Sequence, residues 1–239
     1  MLLTLWSLKG GSGTSTVAAG LSAAMAAAGS GSAGSDVLLV DLAGDQPALL
    51  GLARPDGPGV TDWLATDRSD ADALRRLEVE VSAGLSLVPL GDAPSWPSAR
   101  AEDLAQALAT DGRTIVVDAG TASLAANEAC GSVRSELVDA LSAEGASFLV
   151  IRPCYLALRR SLVALGDAVL ARPDGVVLVT EHGRALDADD VARALGLPVC
   201  ATVPVDPAVA RAVDAGLLST RSPRSFGRAL DELAGWGDR

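Results

Sequence analysis

Lysine is almost missing from this chain. Of 19 lysine and arginine residues, 18 are arginine, and the one lysine is Lys9. Histidine is likewise reduced to His182, which has no evident partner in the sequence. The three cysteines, Cys130, Cys154 and Cys200, lie far apart and form no CxxC or Cys/His pair. That pattern argues against a metal centre and a disulfide framework, and the thiols are expected to be buried in a reducing compartment. Positive charge is scarce overall. A formal net charge of −11 repels nucleic acid and acidic membranes unless arginines cluster locally. No apolar run approaches the ~20 residues of a membrane span, and the first residues lack a basic leader segment. The expectation is a soluble, cytoplasmic protein with neither nucleic acid nor membrane as its partner.

What is present is apolar substance and glycine. Across 239 residues, 49% are apolar, and Pro-rich or Gln-rich disorder is absent. This suits one large α/β domain over residues 1–239 better than two small ones. A bias towards arginine this strong makes the position of Lys9 informative. A thin, flexible ammonium differs from a broad guanidinium where space is tight, and Lys9 sits inside a glycine-rich turn.

That turn is Ser7-Leu8-Lys9-Gly10-Gly11-Ser12-Gly13-Thr14-Ser15-Thr16. An apolar segment, residues 2–6, precedes it and reads as a buried strand. The alanine-rich run from Val17 to Ala28 follows it and reads as a helix. Strand, glycine-rich turn and helix in this order build a phosphate-binding loop. Glycines let several N–H groups converge on one anion, and the helix dipole favours negative charge there. The usual pattern is G-x-x-x-x-G-K-[ST], with lysine on the terminal phosphates and Ser/Thr on Mg²⁺. Here the lysine position is Thr14.

Further along, Gly29–Ser35 reads as a small-residue linker. Asp36–Asp41 is a continuous apolar run ending in Asp41, at the carboxyl end of a strand, where open α/β sheets place their ligands. Ala48–Leu52 reads as a short helix or turn, and two short helices are expected around Trp63 and Leu74. Residues 77–89 read as a hairpin or an edge strand plus a buried strand. An amphipathic helix follows over Ala99–Ala109. Strands are expected at Thr114–Asp118, Ser147–Ile151, Gly175–Thr180 and Val199–Val203. Helices are expected at Ser135–Leu141, Leu156–Leu170, Asp187–Leu195, Pro207–Ala215 and Pro223–Ala234. Alternation with short connections predicts a mostly parallel sheet. The arginine groups 152, 159, 160 and 221, 224, 228 read as solvated helix faces, and Phe226, Leu230, Leu233 and Trp236 as a helix docked on the core.

With the loop, Asp41 and Asp118 in register on three buried strands, the chain resembles the ParA/MinD family of deviant Walker-A ATPases, of the SIMIBI P-loop class. That family's loop reads K-G-G-x-G-K-[ST]-[ST], against residues 9–16 here. Val37–Asp41 is similar to its D-x-D strand and Ile115–Asp118 to its Walker B strand. Residues 203–206 and 209–213 are similar to its final strand and helix. The resemblance implies a Rossmann-like three-layer α/β/α P-loop NTPase fold. It implies that Lys9 reaches a dimer partner's phosphates and that the N–H groups of Gly10, Gly11, Ser12, Gly13, Thr14 and Ser15 cradle phosphate, with Thr16 beside them. It implies Ser15 on Mg²⁺, and Asp41 and Asp118 on the metal or its waters. ATP or ADP with Mg²⁺ is the implied cofactor, and a homodimer or a protein of a positioning or assembly system the implied partner. The Arg- and Ala-rich flavour resembles actinobacterial septum-site and TadZ/CpaE-like members.

Two departures bear on chemistry. Thr14 replaces the Walker lysine, and removing such a charged donor costs about 1.5–3 kcal/mol of phosphate affinity. Ala43 replaces the second acid of D-x-D. A third difference concerns base selection and not chemistry: Thr180-Glu181 stands where the resemblance would place an adenine-selecting Asn. Phosphoryl transfer rests on positioning and charge neutralisation, so the expectation is a positioning or scaffold factor with weakened nucleotide binding and lost hydrolysis. Two alternatives stand beside it. One is a working ATPase in which Lys9 and Asp41 carry the chemistry, and the other is a DNA-binding partition protein.

Overall fold

The computed structural model describes residues 1–29, 36–53, 57–67, 71–123, 132–166 and 170–236. In chain order the elements are β1 (Leu2–Ser7), α1 (Thr14–Gly29), β2 (Val37–Asp41), α2 (Gln46–Leu49), α3 (Val60–Ala65), α4 (Ala71–Arg75), β3 (Val79–Ser82), β4 (Leu85–Val88), α5 (Arg100–Ala109), β5 (Thr114–Ser123), β6 (Ser132–Arg134), α6 (Ser135–Glu144), β7 (Ala146–Ile151), α7 (Tyr155–Gly166), β8 (Gly175–Thr180), α8 (Ala188–Leu195), β9 (Val199–Pro204), α9 (Pro207–Asp214) and α10 (Arg224–Ala234).

The strands lie in the order β3-β4-β2-β5-β1-β7-β8-β9, with β6 paired to β5. Every pairing is parallel except that of β3 with β4. The apolar runs read from the sequence are buried because helices cover both faces, as parallel sheets require. Within β1 the pleat sends Leu3 and Leu5 to one face, with α1, α9 and α10. Leu2 and Trp6 go to the other, with α3, α5, α6, α7 and α8. Trp6 donates its indole N–H to Ser147 Oγ at 2.8 Å, which ties β1 to β7 immediately before the glycine-rich turn. The predicted docking of the last helix holds: Phe226, Leu230 and Leu233 are buried, and Trp236 meets Phe148 edge to face at 4.9 Å.

Several predicted boundaries move. Helix α1 begins at Thr14, three residues before the alanine-rich run, because Val17 N–H donates to Gly13 O and turns the end of the loop into the first helical turn. Helix α2 begins at Gln46 with Pro47 in its first turn, where a missing N–H costs nothing. Strand β5 runs on to Ser123, past Asp118, because Gly120, Thr121 and Ala122 continue pairing with β1 and β6. The linker after Gly29 and Cys130 lie outside the described residues. Cys200 is buried as expected, but Cys154 is only half-buried, on the turn between β7 and α7.

Candidate functional site

The topology brings the glycine-rich turn, the end of β2 and the middle of β5 to one edge of the sheet. Asp41 and Asp118 are register partners across β2 and β5, and Leu5 of β1 pairs with Asp118. The turn itself needs glycine. Gly11 and Gly13 have φ of 77° and 96°, a region that side chains with a Cβ resist. Ser12 Oγ donates to Lys9 O at 2.7 Å and Ser7 Oγ to Gly120 O at 3.1 Å, which pin the turn's base. With the turn so held, the N–H groups of Gly10 through Thr16 have no partner among the described residues. Seven donors, together with the positive end of the 16-residue helix α1, form a cavity wall built for an anion.

That cavity has a volume of about 560 Å³ and is bordered by the turn, Ala43, Asp45, Ala48, Gly120 and Thr121. Thr14 lies in its wall, 5% exposed, and its Oγ1 is buried without a hydrogen-bond partner. An unsatisfied buried hydroxyl is costly in isolation, and an anion bound to the neighbouring N–H groups would complete it. Lys9 is half-buried and has no ion-pair partner among the described residues. A second cavity of about 240 Å³ shares Gly13, Thr16 and Val213 with the first and is walled by Val179, Val203, Val209 and Phe226. Glu181, beside it in sequence, is taken up by Arg152 at 3.1 Å and by Arg184 Nε at 2.9 Å.

The two aspartates differ in what they do. Asp41 is fully buried and accepts three backbone N–H groups: Ala43 and Gly44 on Oδ1 at 2.9 and 2.6 Å, and Gln46 on Oδ2 at 3.0 Å. It shapes the 42–46 loop. Burial, and then the neighbouring Asp118 carboxylate, push its pKa up to about 7 against those three donors. Asp118 accepts from Gly120 N–H at 3.1 Å, and the Ser15 hydroxyl nearby favours its charged form. Burial raises its pKa too. Ser15 and Asp118 are thus neighbours, joined through Gln46, and a hydroxyl beside a carboxylate at a phosphate cradle is a fitting pair of ligands for Mg²⁺.

Gln46 was not among the residues singled out from the sequence. It is fully buried, and its Nε2 donates to Asp118 Oδ2 at 2.7 Å and to Ser15 O at 3.0 Å. One amide therefore clamps the first turn of α1 to β5, while the same residue's backbone N–H is held by Asp41. No spacing rule marks it, since its partners are brought near only by the β2–β5 pairing.

A parallel sheet with a glycine-rich anion cradle between β1 and α1, and paired aspartates on the adjacent strands, defines a P-loop fold of the ParA/MinD class. Solved structures agree. The chain matches the septum site-determining protein MinD of Pyrococcus horikoshii OT3, solved with Mg-ADP, over 99% of its length and 95% of that chain, at 21% identity and a TM-score of 0.73. It matches a ParA family ATPase of Chlorobium tepidum TLS over 98% of both chains, at 22% identity and the same TM-score of 0.73. It matches a chain of the MinC:MinD cell division protein complex of Aquifex aeolicus over 98% of its length and 94% of that chain, at 18% identity and a TM-score of 0.70. No protein of curated function matches it in sequence. Residues 1–120 match the family model described as cellulose biosynthesis protein BcsQ, and the chain belongs to that family.

Proposed function

We propose that this protein is a spatial-positioning or scaffold factor of the ParA/MinD type that binds an adenine nucleotide weakly and has lost its hydrolysis. The observation that carries the reading is the pairing of an open cradle of seven unpartnered N–H groups with Thr14 and Ala43 at the two positions where chemistry needs a lysine and an acid. Nucleotide-bound relatives such as the Pyrococcus MinD solved with Mg-ADP support a nucleotide as the anion. When bound, Mg²⁺ would supply charge neutralisation between the phosphates. In this chain Ser15 and Asp118 would hold the ion, and Asp41 would keep the 42–46 loop in place beside it. The nucleoside would rest in the second cavity, against Val179, Val203 and Phe226.

The family's positioning roles and the MinC:MinD complex favour action as a homodimer or with a protein partner. Lys9, with no ion-pair partner among the described residues, is the side chain available to bridge to a protein partner. The reading is tested by ATP turnover of the unaltered protein beside a Thr14→Lys variant, with mass measured in solution. Robust Mg²⁺-dependent hydrolysis by the unaltered protein sinks it. That same unpaired Lys9 supports a second reading, a working ATPase. Under it Lys9→Ala abolishes turnover and Thr14→Ala leaves it intact.

A further inference from the structure

The charge around the cavity points to which phosphate chain it suits. Among the described residues that border it, none is cationic, and Asp45 is the one that carries a full charge. Within the border itself, favourable potential for an anion comes from the N–H groups of residues 10–16 and the start of α1, a field that falls off within the first helical turn, while Lys9 and Arg160, which donates to Leu8 O at 3.3 Å, are not among the bordering residues. Thr14 adds a hydroxyl on a short stem. That hydroxyl reaches only an anion seated in the turn itself, whereas a lysine at this position would extend to the terminal phosphates.

Outside the turn the borders are poor in donors. Ala43, Ala48, Leu49 and Val213 are apolar, and the Ser7 hydroxyl is engaged with Gly120 O at 3.1 Å. Asp45 caps no N–H of α2, so its carboxylate is not neutralised by that helix. A third phosphate extending beyond the turn would therefore gain no cation from this chain's cavity wall and would meet a carboxylate.

We propose that this loop is selective for nucleoside diphosphates over triphosphates, with Thr14 and Asp45 setting the preference. The proposal rests on the reading of the loop as a nucleotide site. A charge-assisted contact to a phosphate corresponds to roughly 10- to 150-fold in affinity, so Thr14→Lys should tighten the triphosphate by about that factor, while in the unaltered protein the third phosphate gains nothing and meets Asp45, leaving ADP the tighter ligand. The experiment is calorimetry of the full chain with Mg²⁺ and either ADP or a non-hydrolysable ATP analogue. The protein is used unaltered, as Thr14→Lys, and as Asp45→Asn.

The expected result is tighter ADP binding by the unaltered protein, a ratio levelled or inverted in Thr14→Lys, and a ratio narrowed several-fold in Asp45→Asn. Asp45 is exposed and makes no side-chain cap, so its variant keeps the test alive even if Thr14→Lys does not fold. Equal or tighter binding of the triphosphate by the unaltered protein overturns the proposal while leaving the nucleotide site standing. Binding of neither nucleotide overturns the nucleotide reading itself.

Discussion

Replacing Gln46 with alanine should loosen the site and the fold together. The amide gives one bond to a carboxylate, Asp118 Oδ2 at 2.7 Å, and one to a main-chain carbonyl, Ser15 O at 3.0 Å. Bonds to charged groups contribute about 1.5–3 kcal/mol and neutral ones about 1 kcal/mol. A fully buried side chain also leaves a cavity when truncated, at roughly 1 kcal/mol more. Against this, Gln46 Oε1 is itself buried without a partner, and removing it relieves about 1–3 kcal/mol. The terms leave a net loss of about 2 kcal/mol. Urea unfolding followed by tryptophan fluorescence, with the slope checked for two-state behaviour, measures it. Gln46→Met, which keeps the volume and removes both donors, should lose less than the alanine variant but still weaken nucleotide binding, because Ser15 and Asp118 are no longer clamped together. A loss under about 0.5 kcal/mol for Gln46→Ala, with nucleotide affinity intact, refutes the clamp.

Three other outcomes follow from the same contacts. Gly20→Ala places a methyl carbon 2.1 Å from the buried Phe226 ring, so α10 must shift away from α1, at about 1–3 kcal/mol by thermal unfolding, with Phe226→Leu restoring part of the loss. Asp41 has a folded-state pKa raised from 3.8 to about 7, so the folded protein holds that proton more tightly than the unfolded chain. Its contribution is fully present below about pH 4 and falls as pH rises towards 7, by up to about 4 kcal/mol, and Asp41→Asn should flatten this slope in denaturation measured across that window. Duplex DNA should show no electrophoretic shift even at low salt, since Arg152 is engaged with Glu181 and Arg160 with Leu8 O; salt-sensitive binding lost in the Arg159→Ala, Arg160→Ala double variant would contradict this.

The parts of the fold legible in the sequence are those set by local chemistry. The strands at 37–41 and 175–180 were legible because residues 37–40 and 176–179 are unbroken apolar runs suited to burial on both faces, and the helix expected at Asp187–Leu195 forms with Asp187 Oδ1 accepting Asp190 N–H at 2.9 Å. The glycines at 11 and 13 marked the turn because few other residues adopt its positive φ. What stayed hidden was set by pairing. Residues 119–123 carry Gly, Thr and Ser and look like a loop, yet β1 and β6 on either side draw them into β5. Gln46 looks like an ordinary loop residue until β2 lies beside β5. Thr14 was legible as a substitution, but its buried, unpartnered hydroxyl emerged only once the wall of the cavity was assembled.

The central claim is that the N–H groups of Gly10 through Thr16 receive a phosphate. Backbone amide NMR of the protein titrated with Mg-ADP addresses it residue by residue. The amides of residues 10–16 should shift together and saturably, with Val17, already bonded to Gly13 O at 2.9 Å, moving least. Amides of the turn that stay in place at saturating ADP, whether shifts arise elsewhere or nowhere, would contradict it.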